Sequence, residues 1–273
     1  GSVGRGVSCA EGRGMTALFT QVINLDSSTE RLASATRALA AEGIAFTRLS
    51  AIDGRDKPAE AFAQYDPAVA VRRFGRVLRG GEIACFLSHL AALAAFHDSG
   101  AEFGLVFEDD LTARPGAGAA LSALIDRAAT GDLGGAWDVA NLGEPARKFF
   151  TPLTSAVVGP LPGGAVPGRA HYFPMRATAL LWTRDGAARF LDETPTVAMP
   201  YDHQVRLWAT ARGTGLGLDR ALFPHSGADS DIDAGGRRAT TDRGLRYLVL
   251  KHFRGARNRA RAKAHQTAYR KSQ

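Results

Sequence analysis

Residues 80–110 read GGEIACFLSHLAALAAFHDSGAEFGLVFEDD, and their order of patterns decides the fold. Apolar residues at three- and four-residue spacing (Ile83, Phe86, Leu87, Leu90, Ala94, His97) predict a helix from about Gly81 to His97. A neighbouring stripe of small residues, Gly81, Ala84, Ser88, Ala91 and Ala95, leaves room for another backbone to approach. Glu82, Cys85 and His89 fall on a third face, either as a helix cap and a hydrogen-bonded core histidine or as the border of a site. After Gly100 the apolar run Gly104-Leu105-Val106-Phe107 predicts a buried strand that ends in Glu108-Asp109-Asp110. Strand alternation sends Glu108 and Asp110 to one side and Asp109 to the other.

Three consecutive carboxylates repel one another, and burial raises that cost. Such a cluster is hydrated, paired or wrapped around a hard cation. Parallel α/β sheets place their ligands at the carboxyl ends of strands, so this acidic end is the first candidate for a metal site.

Upstream, Leu18–Leu25 (LFTQVINL) predicts a first strand, and residues 29–42 a helix burying Leu32, Ala35, Leu39 and Ala38. Ser27, Ser28 or Thr29 offers the helix cap, and Gly43 stops the helix. Phe46–Leu49 reads as a second strand followed by a turn at Ile52-Asp53-Gly54. This βαβ opening predicts an α/β fold with a mostly parallel central sheet and helices on both faces. Residues 55–79, with Arg72, Arg73, Arg76 and Arg79, read as a solvated connection or as a cationic lid.

Downstream come a helix at about 119–129, a strand at Trp137–Leu142 and a Gly/Pro-rich region of little regular structure at about 143–175. Thr178–Trp182 predicts a further strand and Asp185–Leu191 a helix. A second helix opens at Tyr201-Asp202-His203, where Asp202 is either the cap or a carboxylate facing the acidic end. His225, Asp229, Asp231 and Asp233 lie in a polar segment without the spacing of a calcium loop. A last helix is expected from about Asp242 through Leu245, Leu248, Val249 and Phe253.

Of 34 basic residues, eight lie in 251–273, a stretch without Asp or Glu. The other 26 face 27 acidic residues, so the net charge of +7 belongs to a basic tail and the body is near neutral. That distribution argues against a nucleic-acid groove on the body and makes peripheral contact of the tail with an anionic membrane, or a solvated end, the two readings of 251–273. Cys9 and Cys85 form no disulfide framework, which fits a reducing, cytoplasmic setting. Gly1-Ser2 reads as a cleavage scar and Met15 as an alternative start. The expected organisation is a flexible leader over 1–14, one catalytic domain over 15–250 and the tail.

VINLD at 22–26, Arg31, AIDG at 51–54, GEIACFLSH at 81–89 and VFEDD at 106–110 together resemble the bacterial lipooligosaccharide transferases of glycosyltransferase family 25. Collagen galactosyltransferases belong to the same wider group. Thr178–Leu191 and Ser230-Asp231-Ile232 extend the likeness weakly. The resemblance implies a GT-A-type, Rossmann-like sandwich. It implies an inverting transfer of galactose or glucose from a UDP-sugar to a glycan such as lipooligosaccharide, with Mn²⁺ or Mg²⁺ as cofactor and a location in the cytoplasm or against the inner membrane.

By the same resemblance Asn24, Leu25, Asp26 and Arg31 border the nucleotide, and Glu82, Ser88 and His89 belong to the neighbouring signature. Glu108, Asp109 and Asp110 stand as the acidic motif, with Asp110 first for metal contact, Asp109 alongside and Glu108 near the ribose or a water. His225 is a candidate for completing the metal set. Asp202, with Glu144 as the alternative, is a candidate general base. A metal-dependent phosphohydrolase and a non-catalytic nucleotide- or glycan-binding protein are the competing readings, because an acidic strand end activates water equally well and an α/β fold does not imply chemistry.

Overall fold

The computed structural model describes residues 17–153, 159–227 and 244–273. The leader with Cys9, the alternative start Met15, and Asp229, Asp231 and Asp233 with the Ser230-Asp231-Ile232 segment lie outside them.

The opening βαβ unit forms as the pattern requires. Strand β1 (Leu18–Asn24) and strand β2 (Thr47–Ser50) pair in parallel around helix α1 (Thr29–Ala41), which buries Ala35 and Leu39. Gly43 adopts φ 69° just past the helix. Its N–H bonds to the Ala40 carbonyl at 3.1 Å and that of Ile44 to the Leu39 carbonyl at 3.0 Å, so the last carbonyls of α1 are satisfied by a left-handed turn that favours glycine.

Residues 55–79 are more ordered than an open connection. They carry helix α2 (Pro67–Arg73), which starts on Pro67 and is capped by Asp66 accepting from the backbone of Ala68 and Val69. Phe62, Tyr65, Phe74 and Leu78 of this segment are buried.

Helix α3 (Gly80–Ser99) buries Ile83, Ala84, Phe86, Ser88, His89, Ala92, Leu93 and Phe96, whereas Ala94 is exposed and His97 only partly covered. The buried arc is thus wider than the expected apolar stripe and rotated toward the small residues. The reason is contact on two sides, because α3 packs against β1 and against the strand that follows it, β3 (Phe103–Glu108), and also against helices α5 (Arg184–Glu193) and α6 (Tyr201–Arg212). At its start, a Cβ on Gly80 would overlap the Gly54 carbonyl oxygen, so the turn after β2 lies directly on the helix.

The remaining elements are helix α4 (Ala117–Ala129), strands β4 (Val139–Asn141), β5 (Phe150–Pro152), β6 (Pro167–Ala170), β7 (Ala179–Thr183) and β8 (Gly215–Leu218), and helix α7 (Leu245–Ser272). One eight-stranded sheet results, in the order β2-β1-β3-β7-β4-β8-β6-β5. Its β1–β2, β1–β3 and β4–β8 pairings are parallel, while β3–β7, β4–β7, β6–β8 and β5–β6 are antiparallel. The sheet is therefore mixed rather than mostly parallel, because β7 and β6 run against the other six strands. The Gly/Pro-rich region supplies β5 and β6 to it and is not a structureless loop.

Helices cover both faces. Along β3, Val106 joins the core beneath α3, α5 and α6, with Phe86, Phe96, Phe190 and Trp208. Leu105 and Phe107 join the opposite core, with Leu39 of α1 and Leu121 and Leu124 of α4. This two-sided burial explains the unbroken apolar run before the carboxylates. The basic C-terminal stretch continues as helix α7 to Ser272. It docks through buried Tyr247, Asn258 and Ala262, and Arg254 Nη1 donates to the carbonyls of Arg73 and Phe74 at 2.8 and 2.9 Å.

Gly104 of β3 faces the ring of Phe96, which is wholly buried and has nowhere to move. Gly104→Ala is expected to cost about 1–3 kcal/mol through overpacking. Adding Phe96→Leu should recover part of that loss in a double-mutant cycle read by denaturant unfolding.

Candidate functional site

A cleft opens at the carboxyl ends of β1 and β3, closed on one side by the turn after β2 and on another by the first half of α3. Asn24 and Leu25 bring the end of β1, Asp53 and Gly54 the turn, Cys85, Ser88 and His89 the helix, and Glu108, Asp109 and Asp110 the end of β3. All three carboxylates face this one cleft. The alternation expected from a strand fails because β3 ends at Glu108 and the next two residues form a turn.

Each carboxylate has its own partner. Asn24 Nδ2 donates to Asp109 Oδ2 at 2.6 Å, and Asn24 Oδ1 accepts from Arg48 Nε at 3.0 Å, which fixes the orientation of the amide. Arg31 pairs with Asp109 and stands 3.4 Å from Asp110 Oδ2. His225 Nε2 lies 2.9 Å from Asp110 Oδ2. The histidine is delivered by a backbone lacing in which Ser226 donates to the Asp110 carbonyl at 2.6 Å, Thr112 to that of Pro224 at 2.8 Å and Arg114 to that of Leu222 at 2.9 Å. His89 Nε2 lies 3.2 Å from Glu108 Oε1, and its ring stacks on Tyr201 at 3.9 Å.

The charge balance of the turn is unfavourable to a bare anion. Burial, and next the charge of Glu108, push the Asp110 carboxyl from 3.8 up to about 6, against the pull of His225 and Arg31. Asp110 Oδ1 is buried and has no hydrogen-bond partner among the described residues. An unpartnered carboxylate oxygen in an electron-rich turn fits a divalent cation, and the oxygen donors of Glu108, Asp109 and Asp110 suit a hard ion such as Mn²⁺ or Mg²⁺. A second donor set shares Glu108: the ligand atoms of Cys85, His89 and Glu108 lie within 4.8 Å of one another. Burial, with the nearby charges of Glu108, Asp202 and Asp110, raises the Cys85 thiol well above its ordinary value, so a cation held there would have to displace its proton.

Other residues singled out in the sequence stand elsewhere. Glu82 caps α3, accepting from the Arg79 backbone at 3.0 Å and pairing through both oxygens with Arg76 at 2.8 and 2.6 Å, outside the cleft wall. Ser88 Oγ accepts from the Ile52 backbone at 2.9 Å and thereby ties the β2 turn to α3. Asp26 is exposed and held by Arg48 and Ser50. Glu144 follows β4 and lines a neighbouring cavity instead of the cleft, its Oε2 accepting from the backbone of Met175 and Arg176 at 2.6 and 2.9 Å.

Asp202 is the second residue of α6, whose cap is Pro200, so it is not the cap. Its carboxyl is pushed up to about 6 by burial, with the Glu108 charge adding to the rise and the His203 N–H opposing it. The sequence places Cys85 on the helix face with Glu82 and His89 but gives it no role, and it gives Tyr201 none either. The i, i+4 spacing of Cys85 and His89 is the signal for the former, and Tyr201 is brought in by tertiary packing alone.

The Asp110 shift has a stability consequence with a definite sign. A folded value raised above the unfolded one gives stability that is complete below about pH 4 and is lost as pH rises through about 6. Asp110→Asn is therefore expected to gain on the order of 2–3 kcal/mol over the wild type at pH 7–8 in chelator, and little at pH 4, in urea titrations.

Residues 18–134 match the family model of glycosyltransferase family 25 (LPS biosynthesis protein). A 96-residue stretch is 33% identical to the lacto-N-neotetraose biosynthesis glycosyltransferase LgtB of Neisseria meningitidis serogroup A / serotype 4A (strain DSM 15465 / Z2491), and that stretch is 35% of this chain and 33% of the relative. The alignment thus spans about a third of the relative's length. Among solved structures, a glycosyltransferase involved in the glycosylation of the major capsid of PBCV-1 superposes over 78% of this chain and 96% of its own, with a TM-score of 0.40 and 12% identity. The part of the chain that carries β1, β2, α3 and the whole acidic turn is thus the part similar to glycosyltransferase family 25.

Proposed function

We propose that this chain is a glycosyltransferase that transfers a hexose, galactose or glucose, from a UDP-sugar to a glycan acceptor such as lipooligosaccharide, with inversion at the anomeric carbon. The observation that carries this reading is the coincidence of the family match over 18–134 with the cleft in which Glu108, Asp109 and Asp110 converge. Glu108, Asp109, Asp110 and His225 would hold Mn²⁺ or Mg²⁺, which when bound supplies positive charge against the leaving diphosphate.

The chain's own groups do the rest. Arg31 adds a fixed cation to the same wall, and Asn24 holds Asp109 in one orientation. The β2 turn, clamped by Ser88, lines the cleft where the nucleoside would lie. Asp202 lines neither the cleft nor the cavity beside it. It is the candidate for the acceptor hydroxyl's proton as the carboxyl near Glu108 that, at about 6, is ionised at neutral pH and a stronger base than an ordinary aspartate. Glu144 suits this task less, because its Oε2 is already occupied by two backbone N–H groups.

Helix α7 offers a surface for a lipid-linked acceptor's membrane. Leu245, Leu248, Val249 and Phe253 are 78, 51, 43 and 66% exposed and recur on one helical face, opposite the seam of Tyr247, Asn258 and Ala262. Residues 245–273 hold nine Lys or Arg and no acid, which complements an anionic phospholipid surface at about 1 kcal/mol per cation. None of the helices of the described residues is long and apolar enough to cross a membrane.

Thermal shift and donor hydrolysis across a nucleotide-sugar panel, with and without Mn²⁺, test the reaction. One UDP-sugar should stabilise the protein only with metal, and Asp110→Ala should weaken that effect by roughly 10- to 100-fold. Rapid release of phosphate or nucleotide without acceptor would favour the phosphohydrolase instead. For the membrane, sedimentation should find the chain on phosphatidylglycerol vesicles and not on phosphatidylcholine vesicles. Phe253→Glu should release it; equal binding to both lipids, or self-association in their absence, contradicts the assignment.

A further inference from the structure

One imidazole separates the acidic cleft from a second concavity. His225 contacts Asp110 through Nε2 and also belongs to the wall of a cavity of about 550 Å³, within the size range of ligand sites. The charged groups on that wall are Arg147, Lys148, Arg176 and Arg206 against a single carboxylate, Glu144. Glu144 keeps its charge, its Oε2 oriented by the backbone N–H groups of Met175 and Arg176, so the wall carries four cations against one anion. Among the described residues, no carboxylate forms an ion pair with any of the four cations.

Two of the local features fix the arrangement. Arg206 donates through Nε to the Phe173 carbonyl at 2.8 Å, and its guanidinium lies 5.1 Å from the Tyr172 ring centroid, so its charge is held at the wall. Arg147 and Lys148 precede Phe149, the one non-glycine with positive φ among the described residues, where the chain turns into β5. Arg206 also stands four residues after Asp202 on α6, so the cavity abuts the helix that carries the proposed base. An excess of cations around a concavity, none in a close ion pair among the described residues, attracts an anion, and planar guanidinium groups suit phosphate or carboxylate oxygens.

We infer that this cavity is the acceptor subsite and that it selects an acceptor bearing an anionic group, a phosphate or a carboxylate, near the hydroxyl to be glycosylated. The inference rests on the transferase reading. His225 then has two neighbours with opposite needs, with the metal-binding carboxylate on one side and the acceptor's anion on the other.

Calorimetric titration of the full chain at fixed ionic strength tests it, using glucose 6-phosphate, glucose and inorganic phosphate as probes, with UDP and Mn²⁺ absent or saturating. Glucose 6-phosphate is expected to bind at least tenfold more tightly than glucose, and with the same affinity when UDP is present. Arg147→Glu/Lys148→Glu, two exposed positions, should lose at least tenfold in glucose 6-phosphate affinity and keep UDP affinity within twofold. Equal binding of glucose and glucose 6-phosphate overturns the proposal, as does inorganic phosphate binding as tightly as glucose 6-phosphate. Competition between UDP and glucose 6-phosphate, or loss of UDP affinity in the double variant, assigns the cations to the donor diphosphate and overturns it too. If UDP fails to bind in any condition while phosphate discrimination persists, the transferase reading falls and the anion site stands.

Discussion

The arrangement depends on holding three carboxylates together at the end of a buried strand. Their mutual repulsion is offset by a small set of partners: the Asn24 amide and Arg31 guanidinium at Asp109, the His225 imidazole at Asp110 and the His89 imidazole at Glu108. These partners come from β1, α1, the loop after β8 and α3. The compensation falls short at Asp110, where burial and the Glu108 charge outweigh the nearby cations.

The sheet explains why this deficit can be tolerated. β3 lies between β1 and the reversed β7, with a core on each face, so its register cannot slip without moving Leu105 and Phe107 into the wrong core. The rigidity of β3 fixes where Glu108 emerges, and the close contact of Gly54 with Gly80 fixes the opposite wall. Close backbone contact, with the short Ser88 side chain, sets this wall and limits how far the cleft can relax.

Much of this was legible in the sequence, and the rest was hidden for physical reasons. β1, α1, α3 and β3 announce themselves because burial on known faces imposes a period, and Gly43 marks a stop that requires left-handed backbone. β8 (GLGL) and β6 (PGRA) carry no strand propensity. Their glycines answer to neighbours, Gly215 to Phe173, Gly217 to Ala146 and Gly168 to Phe150, that only the folded chain brings near. The reversed direction of β7 is likewise a topological fact with no local signal. Within the site, the acidic run was visible and the Glu82 cap was one of two open readings. The stacking of His89 on Tyr201 joins residues 112 positions apart and left no trace in spacing. α7 was readable as charge but not as a docked helix, because its seam is built from a tyrosine, an asparagine and an alanine.

The lacing of residues 222–226 onto residues 110–114 makes completion of the acidic turn a late event. More than a hundred residues, including five strands (β4 to β8) and helices α4, α5 and α6, separate Asp110 from the histidine that reaches it. A chain emerging from synthesis presents its acidic turn before that histidine exists, so the N-terminal segment alone holds an unfinished site. Completion of the acidic turn is thereby tied to closure of the whole sheet, and a partly folded molecule lacks the imidazole that meets Asp110.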